Sequence, residues 1–325
     1  GSSPATCAAI GKMGIPEMRK RGYPDEIATG SIAAGGTLGI LIPPSITMIV
    51  YGIATETSIG RLFLAGVVPG FLLMGLFMAW SIYATWAAGG RSAMPQTSYS
   101  WRERLEILPR VLPFITIILG VLYTMYGGVA TPSETAAVGA LLCLIVAMII
   151  YRLTSFSALW NVLRDSTKES VMILFIIAAA GVFSYMLSSL YITQSIAEWI
   201  SDLDVNRWTL MIAINVFLII AGFFLPPVAV ILMTAPILLP VITGAGFDPI
   251  WFAVVLTINM EIGLISPPVG LNLYVINGIA PDISLHTILV GSLPFVACML
   301  IAIALLCLFP SLATWLPDAV MGQAL

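Results

Sequence analysis

The sequence predicts an all-α polytopic membrane protein that contains an inverted repeat and two broken transmembrane helices. Its composition, its long apolar runs and a repeated spacing of glycine and proline together predict this fold class. Of the 325 residues, 59% are hydrophobic and only 9% are charged, whereas soluble domains are about half apolar and about a quarter charged. The chain lacks the charged surface that a soluble enzyme, a nucleic-acid-binding protein or a disordered chain would need.

The ionisable residues narrow the function classes further. The net charge is −3, so no basic surface for nucleic acid is expected, and the single histidine, His286, excludes a multi-histidine metal site. The four cysteines are far apart in apolar runs and are predicted to be thiols buried in the membrane. We therefore expect no cofactor. The chain also has no paired polar catalysts of an intramembrane enzyme and no continuous polar lining of a channel.

Several apolar runs are long enough to cross a bilayer, which takes about 20 residues. Five of them are uninterrupted: 62–87, 111–127, 133–151, 171–190 and 287–310. Three others, 28–55, 208–243 and 251–280, contain paired prolines. Proline removes a backbone donor and clashes with the preceding turn, so each pair is predicted to break its helix.

The breaks recur at matched positions when the chain is aligned with itself. With Pro43-Pro44 placed on Pro267-Pro268, Gly39 falls on Gly263 and Pro16 falls on Pro240. The shared register of glycine and proline continues, with small insertions, as far as Pro69 in the first copy. Apolar composition alone does not produce such a register, so we interpret it as an internal repeat.

The distribution of positive charge predicts that the two copies are inverted. The loop Arg19-Lys20-Arg21 carries three positive charges, and its counterpart at 243–248 carries none. The positive-inside rule places the first loop in the cytoplasm and the second on the far side. Inverted repeats with broken helices are typical of secondary transporters. The first copy lacks roughly a hundred residues at its start by comparison with the second, so the chain is expected to be a fragment.

Three stretches resemble the large membrane subunit of TRAP (tripartite ATP-independent periplasmic) transporters. Residues 1–45 contain GSSPAT, IPEMRKRGY and GGTLGILIPPS, and the sequences TPSETAAVGA at 131–140 and GLISPPVGLNLYV at 263–275 also match that family. The resemblance covers essentially the whole chain, but the first scaffold helices and the first hairpin arm are missing. It favours Gly1-Ser2-Ser3 as a native hairpin tip over a cloning remnant.

The resemblance implies a fold of the ion-transporter superfamily with two re-entrant hairpins, in the bacterial inner membrane. It also implies import of an organic acid, such as a dicarboxylate, a sialic acid or another sugar acid, by a Na⁺-coupled elevator motion. The expected partners are a small membrane subunit and a soluble periplasmic substrate-binding protein. A stand-alone Na⁺/carboxylate symporter without a binding protein is the alternative.

The chain is expected to divide into five segments. Residues 1–55 form the second arm of hairpin one and a broken helix, and 56–110 form a scaffold helix followed by a cytoplasmic amphipathic arm at 98–110. Residues 111–207 form scaffold helices and an outer amphipathic arm. Hairpin two and its broken helix occupy 208–280, and a final membrane helix and C-terminal tail occupy 281–325. Within the scaffold, Thr131 is predicted to cap a helix that has Glu134 in its first turn.

Two Na⁺ sites are expected where a hairpin tip meets a break, because interrupted helices expose backbone carbonyls. The predicted sodium-binding residues are Ser2, Ser3, Gly36, Thr37 and Gly39 in the first copy, and Gly222, Pro226, Gly263 and Ser266 in the second. For each single hydroxyl, an equally good interpretation is that it satisfies only a nearby backbone group.

The substrate is expected between the two hairpin tips. The candidate contacts are Thr6, Pro44, Ser45, Pro227 and Asn272. Glu261 lies in an apolar run just before a break, and an intramembrane carboxylate is costly. It is a candidate for ion coupling, either by neutralising Na⁺ or by taking up a proton. Capping of a broken helix end is an equally weighted alternative.

Overall fold

The structure is a computed structural model that describes residues 1–88, 100–192, 194–196, 198 and 205–322. These residues contain helices and no β-strand. The helices are α1 (Ser3–Lys20), α2 (Asp25–Leu41), α3 (Ile46–Thr55), α4 (Ile59–Ala87), α5 (Trp101–Tyr126), α6 (Pro132–Ile149), α7 (Phe156–Ser189), α8 (Arg207–Phe224), α9 (Pro227–Gly244), α10 (Pro249–Leu264), α11 (Leu271–Ile279), α12 (Leu285–Leu308) and α13 (Ser311–Met321).

Seven segments of the described chain are long and apolar enough to cross a membrane, which confirms the predicted fold class of an all-α polytopic membrane protein. They are Asp25–Thr55, Ile59–Ala87, Pro132–Ile149, Phe156–Ser189, Arg207–Phe224, Pro227–Gly244 and Leu285–Leu308. A shorter apolar helix, α10, is buried from Ile250 to Leu264. Because nearly every side chain of α10 is buried, this helix forms the centre of its unit.

The chain forms two compact units. The larger one comprises residues 1–94 and 176–325, and the smaller one comprises residues 95–175. All of the predicted sodium-binding, substrate-binding and coupling residues lie in the larger unit.

Two of the three predicted breaks separate α2 from α3 and α10 from α11, and the third separates α8 from α9. Helix α2 ends at Leu41 before α3 begins at Ile46, and α10 ends at Leu264 before α11 begins at Leu271. The paired prolines lie in these gaps, and the peptide bond within each pair is cis. The first gap ends at Ser45, whose hydroxyl accepts a hydrogen bond from the Met48 amide at 3.2 Å. The second ends at Gly270, whose φ of 53° lies in the left-handed region that favours glycine.

Helix bounds in the two halves of the larger unit follow the alignment that places Pro43-Pro44 on Pro267-Pro268. Helices α1 and α9 are both 18 residues long, and the alignment places the first residue of one on the first residue of the other. It does the same for α2 and α10, which begin at Asp25 and Pro249. The turns before them contain Gly22 and Gly246, with φ values of 80° and 77°. The sequence match and the helix bounds therefore have one common register.

In the smaller unit, the stretch expected to form an amphipathic arm (98–110) leads directly into a membrane-length helix. Residues from Trp101 onward are continuous with the apolar part of α5. Neither Pro109 nor Pro113 ends this helix, and an ion pair between Arg102 and Glu106 spans one of its turns at 3.6 Å. Residues 89–99, 193, 197 and 199–204 lie outside the described residues, so these parts of the two expected arms are not described.

The predicted start of α6 is confirmed. The Glu134 amide donates to the Thr131 hydroxyl at 3.4 Å, and the Glu134 carboxylate accepts from the Thr131 amide at 2.8 Å. Each residue thereby satisfies a backbone amide that the first helical turn leaves without a partner. Glu134 thus has a capping contact at the start of its helix.

The expected C-terminal tail contains a helix, α13, that packs on α4. Asp318 of α13 pairs with Arg61, and the Arg61 guanidinium also donates to the Gly322 carbonyl at 2.6 Å. Ala313 and Pro317, four residues apart, are buried on one face. A face with this spacing meets a neighbouring helix along one side, so residues 311–321 are a docked element of the larger unit.

Candidate functional site

The first group of predicted site residues lies where α1 packs on α2. Two glycines of α2 allow the close approach. A Cβ atom on Gly36 would lie 2.1 Å from the Cys7 sulfur, and one on Gly39 would lie 2.6 Å from the Thr6 hydroxyl. The Ser3 carbonyl would be 3.1 Å from the same Gly36 position. The structure thus brings the N-terminal turn of α1, which contains Ser3, against the part of α2 that contains Gly36 and Gly39. The sequence predicts this approach for the first Na⁺ site.

Asn272 joins this group from the start of α11. Its side-chain amide donates to the Ser3 hydroxyl at 2.7 Å and to the Ala33 carbonyl at 3.3 Å. Both Ser3 and Asn272 are fully buried. Three elements, α1, α2 and α11, therefore meet at one buried polar contact that contains a predicted sodium-binding residue and a predicted substrate-binding residue.

The Glu261 carboxylate lies beside the same contact. The side chain is 2% exposed, and neither carboxylate oxygen has a hydrogen-bond partner among the described residues. The Ser3 side chain lies next to this carboxylate. A buried carboxylate without hydrogen bonds is unfavourable unless a cation or a proton neutralises it. The contact of Ser3, Glu261 and Asn272 is called the interhelical polar cluster below.

A second group of predicted residues lies where α8 meets α10. A Cβ atom on Gly263 would lie 2.3 Å from the Gly222 carbonyl oxygen. A cavity of about 110 Å³ is lined here by Gly222, Phe223, Phe224, Leu225, Pro226, Gly263, Leu264, Val269, Gly270 and Leu271. Ser266 is buried in the same break. The structure therefore places three residues of the second predicted Na⁺ site, Gly222, Pro226 and Gly263, next to one another.

Several predicted hydroxyls have local partners. The Thr37 hydroxyl donates to the Ala34 carbonyl at 2.6 Å, and the Thr6 hydroxyl donates to the Ser2 carbonyl at 2.9 Å. Ser45 caps α3 as described above. These bonds agree with the alternative interpretation, in which each hydroxyl satisfies only a nearby backbone group. Pro44 is exposed beside Ser45, and Pro227 is the first residue of α9.

Three polar contacts near the breaks were not predicted from the sequence. The Cys7 thiol donates to the Ile32 carbonyl at 3.4 Å, and the Ser292 hydroxyl donates to the Ile265 carbonyl at 3.1 Å. The Asn259 amide donates to the Asn215 side-chain oxygen at 2.5 Å. The available signal was a single polar residue within an apolar run, which by default indicates a functional or interhelical contact in a membrane.

An exposed ionic contact connects the end of α1 to the loop after α11. Arg19 is 2.9 Å from Asp25 and 2.5 Å from Asp282, measured between guanidinium nitrogens and carboxylate oxygens. The hydrogen bond from Arg19 lowers the pKa of Asp282 below its ordinary value. The same hydrogen bond, with the charge of Asp25, raises the pKa of Arg19. The contact is therefore ionised throughout the neutral range.

Comparison with known proteins identifies the family. The family model described as "Tripartite ATP-independent periplasmic transporter, DctM component" matches residues 1–312. The C4-dicarboxylate TRAP transporter large permease protein DctM of Pseudomonas aeruginosa is 42% identical over 98% of this chain and 74% of the relative. The Vibrio cholerae sialic acid TRAP transporter large permease protein SiaM is 30% identical over 99% of this chain and 74% of the relative.

The chain spans about three quarters of the length of these two relatives. The match and the seven apolar segments together identify a multi-pass protein of the bacterial inner membrane. The expectation drawn from the motifs at residues 1–45, 131–140 and 263–275 is thereby confirmed. The chain belongs to the DctM family of large membrane subunits of TRAP transporters.

Proposed function

We propose that this subunit imports an organic acid by coupling its movement to Na⁺, together with a small membrane subunit and a soluble periplasmic binding protein. The family membership supports the tripartite arrangement. Relatives named for C4-dicarboxylate are 42%, 38% and 35% identical to the chain. Other relatives are named for sialic acid and for 2,3-diketo-L-gulonate. A C4-dicarboxylate is therefore the first substrate to test.

The interhelical polar cluster is the observation that carries the proposal. Glu261 offers two buried oxygens without hydrogen-bond partners among the described residues, and the Asn272 side-chain oxygen is in the same state. Na⁺ is a hard cation that prefers oxygen ligands, and buried charges are stable when they coordinate a metal ion. The first Na⁺ therefore binds near Ser3, with Gly36, Thr37 and Gly39 lining the approach of α1 to α2.

The second Na⁺ binds at the break of α10. The Gly222 carbonyl, the cavity beside Pro226 and Gly263, and buried Ser266 are the groups that support this assignment. Glycine on both helices leaves backbone oxygens accessible at a helix end, where unpaired carbonyls favour a cation.

The substrate binds between the two tips, close to both ions. Asn272 is buried in the interhelical polar cluster, whereas Pro44 lies at the exposed end of the α2 break. The first turn of a helix has free backbone amides that attract a carboxylate. Helices α3 and α9 begin at Ile46 and Pro227, next to predicted substrate contacts, so their first turns supply such amides for the acid.

The transport step is an elevator motion of the hairpins and broken helices against the scaffold. The common register of helix bounds supports two copies of one unit, and the loop charges support their inversion. Inverted copies of one unit adopt two exchangeable conformations, which is how such folds alternate access to a central site.

Uptake into proteoliposomes tests this proposal. The membrane complex is reconstituted and supplied with labelled succinate under an inward Na⁺ gradient, with and without the soluble binding protein. We expect uptake only when both are present. Uptake with Na⁺ but without the binding protein would identify a stand-alone Na⁺/carboxylate symporter. Uptake at the same rate with and without the Na⁺ gradient would exclude sodium coupling. The same assay with a sialic acid distinguishes the substrate classes.

A further inference from the structure

A pair of amide side chains, buried Asn259 and half-buried Asn215, joins α8 to α10 on the N-terminal side of the Gly222–Gly263 contact. The Asn259 amide nitrogen donates to the Asn215 side-chain oxygen at 2.5 Å. Asn215 in turn donates to the Met211 carbonyl of its own helix at 2.7 Å. Asn259 is fully buried, and its own side-chain oxygen has no partner among the described residues. The bond to Met211 orients Asn215 so that its oxygen faces α10.

The two contacts between α8 and α10 follow one another along both helices. Asn215 precedes Gly222 by seven residues, and Asn259 precedes Gly263 by four. At 1.5 Å per residue, the contacts are about 10 Å apart on α8 and about 6 Å apart on α10. The helices thus run in the same sense here and are held at two points.

The two contacts constrain different movements. A contact between glycines lets the backbones approach, but it has no side chain that resists sliding of one helix along the other. A hydrogen bond between side chains has a narrow range of distance and angle, so it fixes the axial register. In an apolar medium that bond has no water to replace it.

We propose that Asn215 and Asn259 are positioning residues that set the register of α8 on α10 and so hold the Gly222 carbonyl in place for the second Na⁺. This inference rests on the proposed Na⁺ site at the break of α10. It assigns neither asparagine to the ion itself, since both lie one to two helical turns away from the cavity.

A double substitution separates this role from a role in folding. Asn215→Leu alone leaves the Asn259 amide buried without its acceptor, which is expected to destabilise the protein. Replacing both residues with leucine removes both polar groups, so the double variant is expected to regain most of its thermal stability. Of the two contacts, only the glycine contact then remains, and it does not fix the axial register of α8 on α10.

Labelled-Na⁺ binding to the purified membrane complex provides the measurement. We expect the double variant to bind one of the two Na⁺ ions about three- to tenfold more weakly than the wild type, the range that one interhelical hydrogen bond provides. The matched control is Thr257→Val, which removes a buried hydroxyl of α10 that donates at 2.7 Å to Ala253 of the same helix. This control is expected to bind Na⁺ as the wild type does.

Two results would overturn the inference alone: unchanged Na⁺ affinity in the stable double variant, or an equal loss in Thr257→Val. Failure of the wild-type complex to bind Na⁺ would overturn the proposed sodium coupling and this inference with it. A double variant that does not fold would show that the pair is needed for assembly of α8 on α10, which also contradicts a role limited to register.

Discussion

Gly263 of α10 faces the carbonyl oxygen of Gly222 of α8, and a Cβ atom on Gly263 would lie 2.3 Å from that oxygen. The atom in the way belongs to the backbone, so no side-chain rotation relieves the clash. The helices can keep this contact only with glycine at residue 263. The same contact borders the cavity at the second break.

Gly263→Ala is therefore expected to push α8 from α10, to destabilise the protein by about 1–3 kcal/mol and to abolish uptake. Thermal unfolding in detergent and uptake in proteoliposomes measure both effects. Gly278→Ala is the matched control, because a Cβ there meets nothing within 4 Å and alanine is the better helix former. Equal melting temperatures of Gly263→Ala and Gly278→Ala would show that α8 can move away from α10 without a loss of stability.

Ser3→Ala removes the hydroxyl that accepts from Asn272. The Asn272 amide then keeps only the longer bond to the Ala33 carbonyl, so we expect a loss of about 1 kcal/mol in stability and weaker Na⁺ binding. Ser31→Ala serves as the comparison, because the Ser31 hydroxyl donates at 3.2 Å to Ala28 within α2. If both variants bind Na⁺ equally well, the Ser3 hydroxyl has no part in the ion site.

Glu261→Gln keeps the shape of the side chain and removes its charge. Without Na⁺ the variant should be at least as stable as the wild type, because an uncharged amide is less costly to bury than a carboxylate. Na⁺ binding should weaken about tenfold or more, since a charged ligand is lost in a medium of low dielectric constant. An unchanged Na⁺ dependence together with an unchanged pH profile of uptake would remove Glu261 from coupling.

Asp318→Asn breaks the pair that docks α13 on α4. The Arg61 side chain is only 11% exposed, so it would lose its counter-charge in a mostly buried position, at a cost of about 1–3 kcal/mol. We expect earlier proteolytic cleavage after residue 310 and a lower melting temperature. Glu106→Gln, which breaks the exposed pair with Arg102, should change the melting temperature little. Equal effects would mean that α13 is held by its apolar face alone.

The contact of Arg19 with Asp282 predicts a pH dependence. Because the hydrogen bond from Arg19 lowers the pKa of Asp282 below its ordinary value of 3.8, its stabilisation is fully present above that value and disappears as the pH falls through the lower folded-state value. Wild type and Asp282→Asn should therefore differ in melting temperature at pH 7 and converge in strong acid. A difference that persists in strong acid, where the Asp282 carboxylate is protonated, would assign the effect to something other than ionisation.

Local chemistry made much of the fold predictable from the sequence. Paired prolines have no amide to donate, and this marked both breaks at residues 43–44 and 267–268. Thr131 and Glu134 stand at the spacing of a capping box, and the structure has that cap. The start of α5 was harder, because amphipathic character at 98–110 does not distinguish a separate surface helix from the first turns of a longer one.

Contacts between distant segments were less predictable. The sequence predicted that Ser3 would approach the Gly36–Gly39 region, but it did not indicate that Asn272 would bond to Ser3 or that Glu261 would lie beside them. The Asn215–Asn259 pair left only a weak signal, since two isolated asparagines do not reveal their partners. Pairings of this kind depend on helix rotation, which apolar periodicity does not determine when a helix such as α10 is buried on every side.

The bond between Ser3 and Asn272 joins residues 269 positions apart. A ribosome adding 5–20 residues per second reaches the second partner on the order of tens of seconds after the first. During this interval the Ser3 hydroxyl lacks the Asn272 amide that bonds to it in the folded protein. The newly synthesised first half therefore contains a polar group whose partner has not yet been made. Any factor that shields this group from lipid would act before residue 272 is inserted.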